Sequence, residues 1–370
     1  MDASRGGWED ADWVRRALAL ARTRAGRTWP NPTVGVCVVR DGRLLAEAVH
    51  QRAGEAHAEA AALADLRARG ESAEGSTVYV TLEPCDHHGR TPPCSLALID
   101  AGVERVVYAV ADATPRAHDG GARRLREAGI RVEAGLLADE AWELNHPFFE
   151  TARDDEVHVT VKVALTLDGR VAPRAGRIED PAARRVTGEA AHRRVHRMRA
   201  AAAAVLVGRS TVETDRPRLT VRGVAGADDP RPVVLDTRGR LDPTWIPTGA
   251  LVLTGPGAGA TASAAGFDVA EIALDDTGRL DLERVLAALA ARDLGVLLVE
   301  AGPTLAASFV ERGAAHRLHF FVAPRTFGGD APGLERMPGL ETNYRSWRRR
   351  AVGDDLEWIL RRSDLPAPLA

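Results

Sequence analysis

The 370-residue chain is poor in lysine, cysteine and aromatic side chains, and each scarcity narrows what it can be. Lys162 is the only lysine among 49 basic residues, so positive charge rests almost wholly on arginine. That skew reads as coding bias, and arginine counts carry little functional weight. The lone lysine is more informative, because a compact ammonium is not interchangeable with a guanidinium. Three cysteines do not suggest a disulfide framework. Aromatics make up 5% of the chain, and 49 basic against 52 acidic side chains leave no positive excess. A nucleic-acid binder would carry a basic surface and a stacking set, and neither is present. No apolar run approaches the roughly 20 residues that span a bilayer. The opening Trp8-Glu9-Asp10-Ala11-Asp12-Trp13 is acidic where a secretory signal would be basic. The expectation is a soluble, cytoplasmic protein, long enough for two ordinary domains.

What is present centres on His57-Ala58-Glu59 and on Thr81-Leu82-Glu83-Pro84-Cys85-Asp86-His87-His88-Gly89-Arg90-Thr91-Pro92-Pro93-Cys94. His57, Cys85 and Cys94 form a three-ligand set of the kind catalytic zinc uses, which leaves the fourth position for water. Zinc lowers the pKa of such a water from about 15.7 to roughly 7. Glu59, two residues beyond the histidine, is placed to take the water's proton and return it to a ring nitrogen and a leaving amine, as in zinc nucleobase deaminases. The bland alternative is a free-thiol loop beside an unrelated core histidine.

Around this stretch the chain alternates. Residues 8–25 carry apolar positions at helical spacing, and 34–40 and 43–48 read as strands joined by the hairpin signal Asp41-Gly42. Between Pro30 and Pro32, Asn31 offers a donor and an acceptor suited to the edge of a pyrimidine, or is only a turn residue. A helix is expected from His57 to about Ala68, a strand over Thr77–Leu82, and a helix from Cys94. The strand 106–110, helix 120–128 and strand 130–134 follow, giving a three-layer α/β/α domain over residues 1–150. His87, His88 and Arg90 lie between the two cysteines, where phosphate or ribose contacts compete with a solvated turn. A second domain over 151–365 restarts with the strand Val157–Leu165, which carries Lys162. The helix 188–200 reads as a solvated arginine-rich face, although one arginine could reach a phosphate. Strands fit at 204–207, 232–236, 250–254, 296–300 and 318–323. Gly302-Pro303-Thr304 opens a helix whose free N–H groups suit an anionic phosphate.

These residues resemble the bifunctional riboflavin-biosynthesis deaminase–reductase family, often called RibD, over nearly the whole chain. The match runs through P-N-P-x-V-G at 30–35, H-A-E at 57–59 and T-L-E-P-C-x-H-x-G-R-T-P-P-C at 81–94, with Asp86 where the family more often has serine. The resemblance implies a cytidine-deaminase fold first and a dihydrofolate-reductase-like α/β domain second. It implies zinc on His57, Cys85 and Cys94, proton transfer by Glu59, and a base pocket that includes Asn31 and His50. In the second half it runs through Val161–Gly169, Val205–Gly208, Thr211, Asp215, Leu219, Thr220, Arg222, Glu300 and Gly302. There it implies NADPH against Ala164, Thr211, Asp215, Gly302, Pro303 and Thr304. Substrate would meet Lys162, Arg199, Leu219, Arg222 and Glu300, with the arginines on its phosphate.

The implied activities are hydrolytic deamination of a diamino-hydroxy-pyrimidine bearing a phosphoribosylamino arm, then NADPH-dependent reduction of ribosyl to ribityl. A homo-oligomer is expected. Four positions depart from the family's reductase pattern: Ala183, Arg185, Ala203 and Arg216. They motivate a second reading, a monofunctional deaminase with a degenerate reductase domain. A nucleic-acid-editing deaminase is a third, opposed by the charge balance.

Overall fold

The computed structural model describes residues 8–87, 92–112, 120–151, 156–173, 185–334 and 337–365. The chain divides into two compact units between Phe149 and Glu150. The first contains α1 (Asp10–Arg22), β1 (Gly35–Arg40), β2 (Arg43–Val49), α2 (Ala58–Ala68), β3 (Thr77–Leu82), α3 (Cys94–Asp100), β4 (Arg105–Val110), α4 (Gly120–Glu127), β5 (Arg131–Ala134) and α5, which runs Ala138–Glu150. Its sheet has the order β2-β1-β3-β4-β5. β1 is antiparallel to β2 and β3, whereas β3, β4 and β5 are parallel. Parallel strands end on the same edge, so the segments after Leu82 and Val110 leave the sheet side by side.

Local chemistry explains the layers. In α1 the buried Trp13, Val14, Ala17, Leu18 and Ala21 recur at helical spacing. A Cβ on Gly35 would lie 2.2 Å from the Ala17 carbonyl oxygen, so only glycine lets β1 approach that helix this closely. Asp41 and Gly42 both take positive φ, 51° and 71°, which closes the β1–β2 hairpin.

The second unit contains β6 (His158–Thr166), α6 (Glu189–Ala200), β7 (Ala204–Gly208), α7 (Arg209–Asp215), β8 (Arg231–Leu235), β9 (Leu251–Thr254), α8 (Ala260–Ala264), β10 (Asp268–Glu271), α9 (Leu282–Ala290), β11 (Val296–Glu300), α10 (Pro303–Glu311), β12 (Arg317–Ala323), α11 (Leu340–Asn343), β13 (Tyr344–Val352) and β14, Asp355–Arg362. The sheet order is β10-β9-β8-β7-β11-β6-β12-β14-β13. It is parallel as far as β12, and β14 and β13 then add an antiparallel edge. The order reverses around β11 and β6, and crevices outside the carboxyl ends of such strands are where α/β sheets bind ligands.

Buried charge organises this unit beneath the sheet. Glu150 is 2% exposed and accepts hydrogen bonds from Arg317, Arg361 and His158, themselves 1%, 0% and 0% exposed. Removing the carboxylate would strand two guanidiniums in the interior. Glu150→Ala is therefore expected to lower stability by about 3–5 kcal/mol. The check is a lower midpoint in urea unfolding, and a midpoint equal to the parent's would contradict it.

Candidate active sites

In the first unit, three elements each bring one metal-type donor to the carboxyl edge of the sheet. His57 caps the start of α2, Cys85 follows β3 by three residues, and Cys94 opens α3. His57 Nδ1 lies 3.5 Å from Cys85 Sγ and 3.4 Å from Cys94 Sγ. Zinc bonds of about 2.0–2.1 Å to nitrogen and about 2.3 Å to sulfur, set tetrahedrally, predict an N···S edge of roughly 3.5 Å. The donor set fits zinc. The Cys94 backbone N–H donates to Cys85 Sγ at 3.3 Å, a bond that favours thiolate. Hydrogen bonding from the Cys94 side chain, opposed by burial and aided by His57, draws Cys85 down to about 4, while the same contact and burial push Cys94 up. The pair thus holds one thiolate readily and a second only with a cation between them.

Glu59 sits in the first turn of α2 and is 4% exposed. Burial, followed by the charge on Cys85, raises its carboxyl to about 7. Asn31 Nδ2 lies 3.0 Å from His50 Nε2, and His50 Nδ1 lies 2.9 Å from the Ala56 carbonyl oxygen. Burial holds the His50 pKa below its ordinary value. His87 is exposed, and His88 and Arg90 fall outside the described residues.

Two residues with no assigned role in the sequence reading hold this site together. Glu83 is buried and accepts from the backbone N–H groups of Asp112 at 3.3 Å and Ala122 at 3.0 Å. It ties the end of β3 to the end of β4 and to the start of α4, where the helix dipole favours a carboxylate. Asn145 of α5 grips the Thr33 backbone from both sides, accepting from its N–H at 2.7 Å and donating to its C=O at 2.9 Å. Asp86, the departure from serine, accepts from the Ser95 hydroxyl at 2.6 Å and pairs with Arg124. The motif T-L-E-P-C contained the signal for Glu83; nothing local to Asn145 marked it.

In the second unit, Lys162 and Glu300 are register partners on β6 and β11. Arg199 of α6 grips both Glu300 oxygens, at 2.5 and 2.9 Å, and donates its third nitrogen to the Thr220 carbonyl at 2.9 Å. Its fork is thus committed to Glu300, and Arg222 is the exposed arginine of the pair. Burial works to raise Glu300, but Arg199 and Lys162 more than offset it and hold its carboxyl below the usual range. Burial lowers Lys162, with Glu300 and Asp215 opposing and Arg199 assisting. The Arg222 N–H donates to His196 Nδ1 at 3.1 Å. Leu219 is 1% exposed with φ 56°, so its side chain belongs to the core.

Ala164 lies two residues beyond Lys162 on β6, and Thr211 and Asp215 lie on α7. Gly302 caps α10, and a Cβ there would meet nothing within 4 Å, so the approach to that helix start is clear for a phosphate. These residues fit a dinucleotide. The solvated-helix reading of α6 needs correction. Arg193 and Arg197 are exposed, but Arg199 is bound to Glu300 and Arg194 to the buried Glu357.

The departures have local explanations. Arg185 is exposed and pairs with Glu189 at 2.7 Å, while its carbonyl accepts from Arg325. Arg216 caps α7 in the left-handed region, φ 42° and ψ 55°, with its guanidinium 4.5 Å from the Trp245 ring centroid. Ala203 is buried and its N–H donates to the Val296 carbonyl at 2.8 Å. Ala183 lies outside the described residues.

The closest packing near the thiols generates a test. A Cβ on Gly121 would lie 1.7 Å from the Pro84 carbonyl oxygen, a backbone atom that cannot swing away. Gly121→Ala is expected to displace the segment that carries Cys85. A shift on the order of 1 Å costs about 10²-fold in rate. Metal analysis of the purified variant should show less than one zinc per chain; full zinc with parental activity would contradict the argument.

Comparison with known proteins supports both halves. Residues 8–110 match the cytidine and deoxycytidylate deaminase zinc-binding region, and residues 157–357 match the RibD C-terminal domain. The chain is 38% identical to the riboflavin biosynthesis protein RibD of Escherichia coli over 352 residues, covering 90% of this chain and 92% of that one. It is 39% identical to RibD of Mycobacterium tuberculosis, covering 94% and 97%. Among solved structures, Acinetobacter baumannii RibD superposes with a TM-score of 0.73 at 32% identity, covering 96% of this chain and 99% of that one. A Thermotoga maritima diaminohydroxyphosphoribosylaminopyrimidine deaminase/5-amino-6-(5-phosphoribosylamino)uracil reductase gives 0.74 at 31%, covering 95% and 98%. With two zones of chemistry on two α/β units and likeness along almost its full length, the chain belongs to the RibD family of riboflavin biosynthesis proteins.

Proposed function

We propose that the chain is a bifunctional enzyme of riboflavin biosynthesis, with a deaminase domain over residues 1–150 and a reductase domain over 151–365. The observation that carries the first activity is the convergence of His57, Cys85 and Cys94 at zinc-type spacing, with Glu59 buried in the same helical turn. His57, Cys85 and Cys94 hold zinc, which when bound supplies an activated water at neutral pH. Glu59 takes the proton released from water on attack at the amino-bearing ring carbon and passes it to the adjacent ring nitrogen. It then takes the proton of the added hydroxyl and gives it to the departing ammonia as the ring carbonyl forms. A carboxyl raised toward neutrality is matched to both directions of that transfer. Asn31 addresses the edge of the pyrimidine, and the exposed His87 is assigned to its phosphoribosyl arm, as the sequence assigns His88 and Arg90 from their place between the two cysteines.

In the second domain NADPH supplies the hydride that converts the ribosyl to the ribityl arm. Gly302 and Thr304 present backbone N–H groups to its phosphates, Pro303 between them sets the first turn of the helix, and Ala164, Thr211 and Asp215 lie along its length. Lys162 offers an ammonium to the sugar oxygens beside its register neighbour Glu300, whose orientation Arg199 fixes. Arg222 receives the substrate phosphate, and the backbone around Leu219 completes that wall. Leu356 and Trp358, exposed at 40% and 38% on β14, support assembly as a homo-oligomer. Among the described residues no helix is long and apolar enough to cross a membrane; a cytoplasmic location is part of the proposal.

A mass-spectrometric assay of the phosphoribosylamino-pyrimidine with zinc-loaded protein tests both activities. Deaminated product is expected with or without NADPH, and the ribityl compound only with it. Deaminated product that NADPH leaves unchanged would overturn the reductase assignment, and no deamination would overturn the substrate. In the same assay Lys162→Arg is expected to lose about 10²-fold in reduction, because a rigid fork cannot occupy the position of a point ammonium. Its deamination should be unaffected.

A further inference from the structure

We propose that His50 is a positioning residue: it fixes which way the Asn31 amide faces, so that the pocket offers a carbonyl acceptor to an N–H group of the pyrimidine. The inference rests on the deaminase reading above and corrects the placement of His50 as a direct base contact.

Donor and acceptor chemistry fixes the state of the ring. A backbone carbonyl can only accept, so His50 Nδ1, 2.9 Å from the Ala56 oxygen, carries the ring proton. An amide nitrogen can only donate, so His50 Nε2, 3.0 Å from Asn31 Nδ2, is a bare lone pair. The ring is therefore the neutral Nδ1–H tautomer with both nitrogens occupied. His50 is 2% exposed and has no polar atom left to offer a substrate.

Asn31 retains one. With its nitrogen held by His50, Oδ1 makes no hydrogen bond among the described residues, and the His50 ring lies edge-on to that of His57, centroids 5.5 Å apart, which sets the amide in the neighbourhood of the metal donors. The backbone around it is pinned. Asn31 N–H donates to the Thr28 carbonyl at 2.8 Å, Asn145 clamps Thr33 from both sides, and the His50 N–H donates to the Val34 carbonyl at 2.9 Å. The remaining freedom is a half-turn of the amide plane. That turn would set Oδ1 against the Nε2 lone pair, two acceptors face to face in a buried site. The pocket therefore selects a pyrimidine edge with a ring N–H or an amino group over an edge that only accepts.

The test uses full-length, zinc-loaded protein. Long-range 1H–15N spectra of histidine-labelled protein should show a ring with protonated Nδ1 and bare Nε2 that disappears in His50→Gln. A protonated Nε2 on that ring would overturn the proposal without recourse to any variant. In kinetics, His50→Gln places a carbonyl oxygen near the Nε2 position and should keep KM within about threefold of the parent. His50→Asn cannot reach, and should raise KM for deamination about tenfold with a smaller change in kcat and full zinc content. An unchanged KM in His50→Asn would also overturn it. A parent protein that fails to deaminate the pyrimidine would count against the deaminase reading instead, while the tautomer spectrum stands on its own.

Discussion

Three donors separated by 28 and 9 residues in the chain must meet within about 3.5 Å, and the first unit is built to satisfy that constraint. Sequence spacing alone cannot do it. Cys85 stands beyond the end of a strand, where nothing in the ladder holds it. The restraint comes from Glu83, a buried carboxylate fed by two backbone N–H groups, and from Gly121, whose missing side chain lets α4 press against Pro84. Backbone donors are rigid acceptors' partners and lose little entropy when used, so they suit a loop whose position must be reproducible. The second cysteine inherits that precision, because the Ser95 N–H donates to the Cys85 carbonyl at 3.1 Å.

The second unit meets a similar requirement by different means. Its site helix α6 is held by buried ion pairs in addition to backbone donors, Gly188 N–H to Asp355 at its start and Arg222 N–H to His196. Arg199 fixes one end to Glu300 and Arg194 fixes the middle to Glu357. Burial alone would raise Glu357, but His319, Arg350 and Arg194 together hold it below the usual carboxylate range. Paired, such charges confer orientation; unpaired, they would be costly. Glu300 is the register neighbour of Lys162, and its pair with Arg199 both anchors the helix and sets the charges felt by the ammonium.

Much of this was legible in the sequence, and the illegible parts have physical reasons. Strong alternation and turn signals marked β1 to β4, and the thiols and histidine announced the metal set because few other chemistries use those residues in that order. The helix α5 was missed because Pro147 interrupts its pattern. The hairpin β13–β14 was missed because Arg345, Arg348, Arg349 and Arg350 occupy both faces of an edge strand, where water replaces the core on one side and a bulge shifts the register. The roles of Asn145 and Glu83 depend on partners 112 and 29 to 39 residues away, which no local window contains. The helix α6 was misjudged for the same reason. An arginine at helical spacing looks alike whether it faces water or a buried carboxylate.

The departures from the family pattern show why a substitution has to be weighed at its own backbone position. An acidic or amide residue after Asp215 is well suited to a left-handed helix cap, since such side chains tolerate positive φ. Arg216 occupies that conformation without the advantage, and the Trp245 ring beneath its guanidinium offsets the strain through a cation–π contact. The change is absorbed beside the Trp245 ring. The same logic runs the other way for the lone lysine. In a chain that uses arginine for nearly every cation, including the buried Arg317 and Arg361, the one position that keeps an ammonium is half-buried beside a carboxylate at the switch of the sheet. A guanidinium there would remain charged and planar. An ammonium carries three donors on a flexible stem, free of a guanidinium's fixed plane.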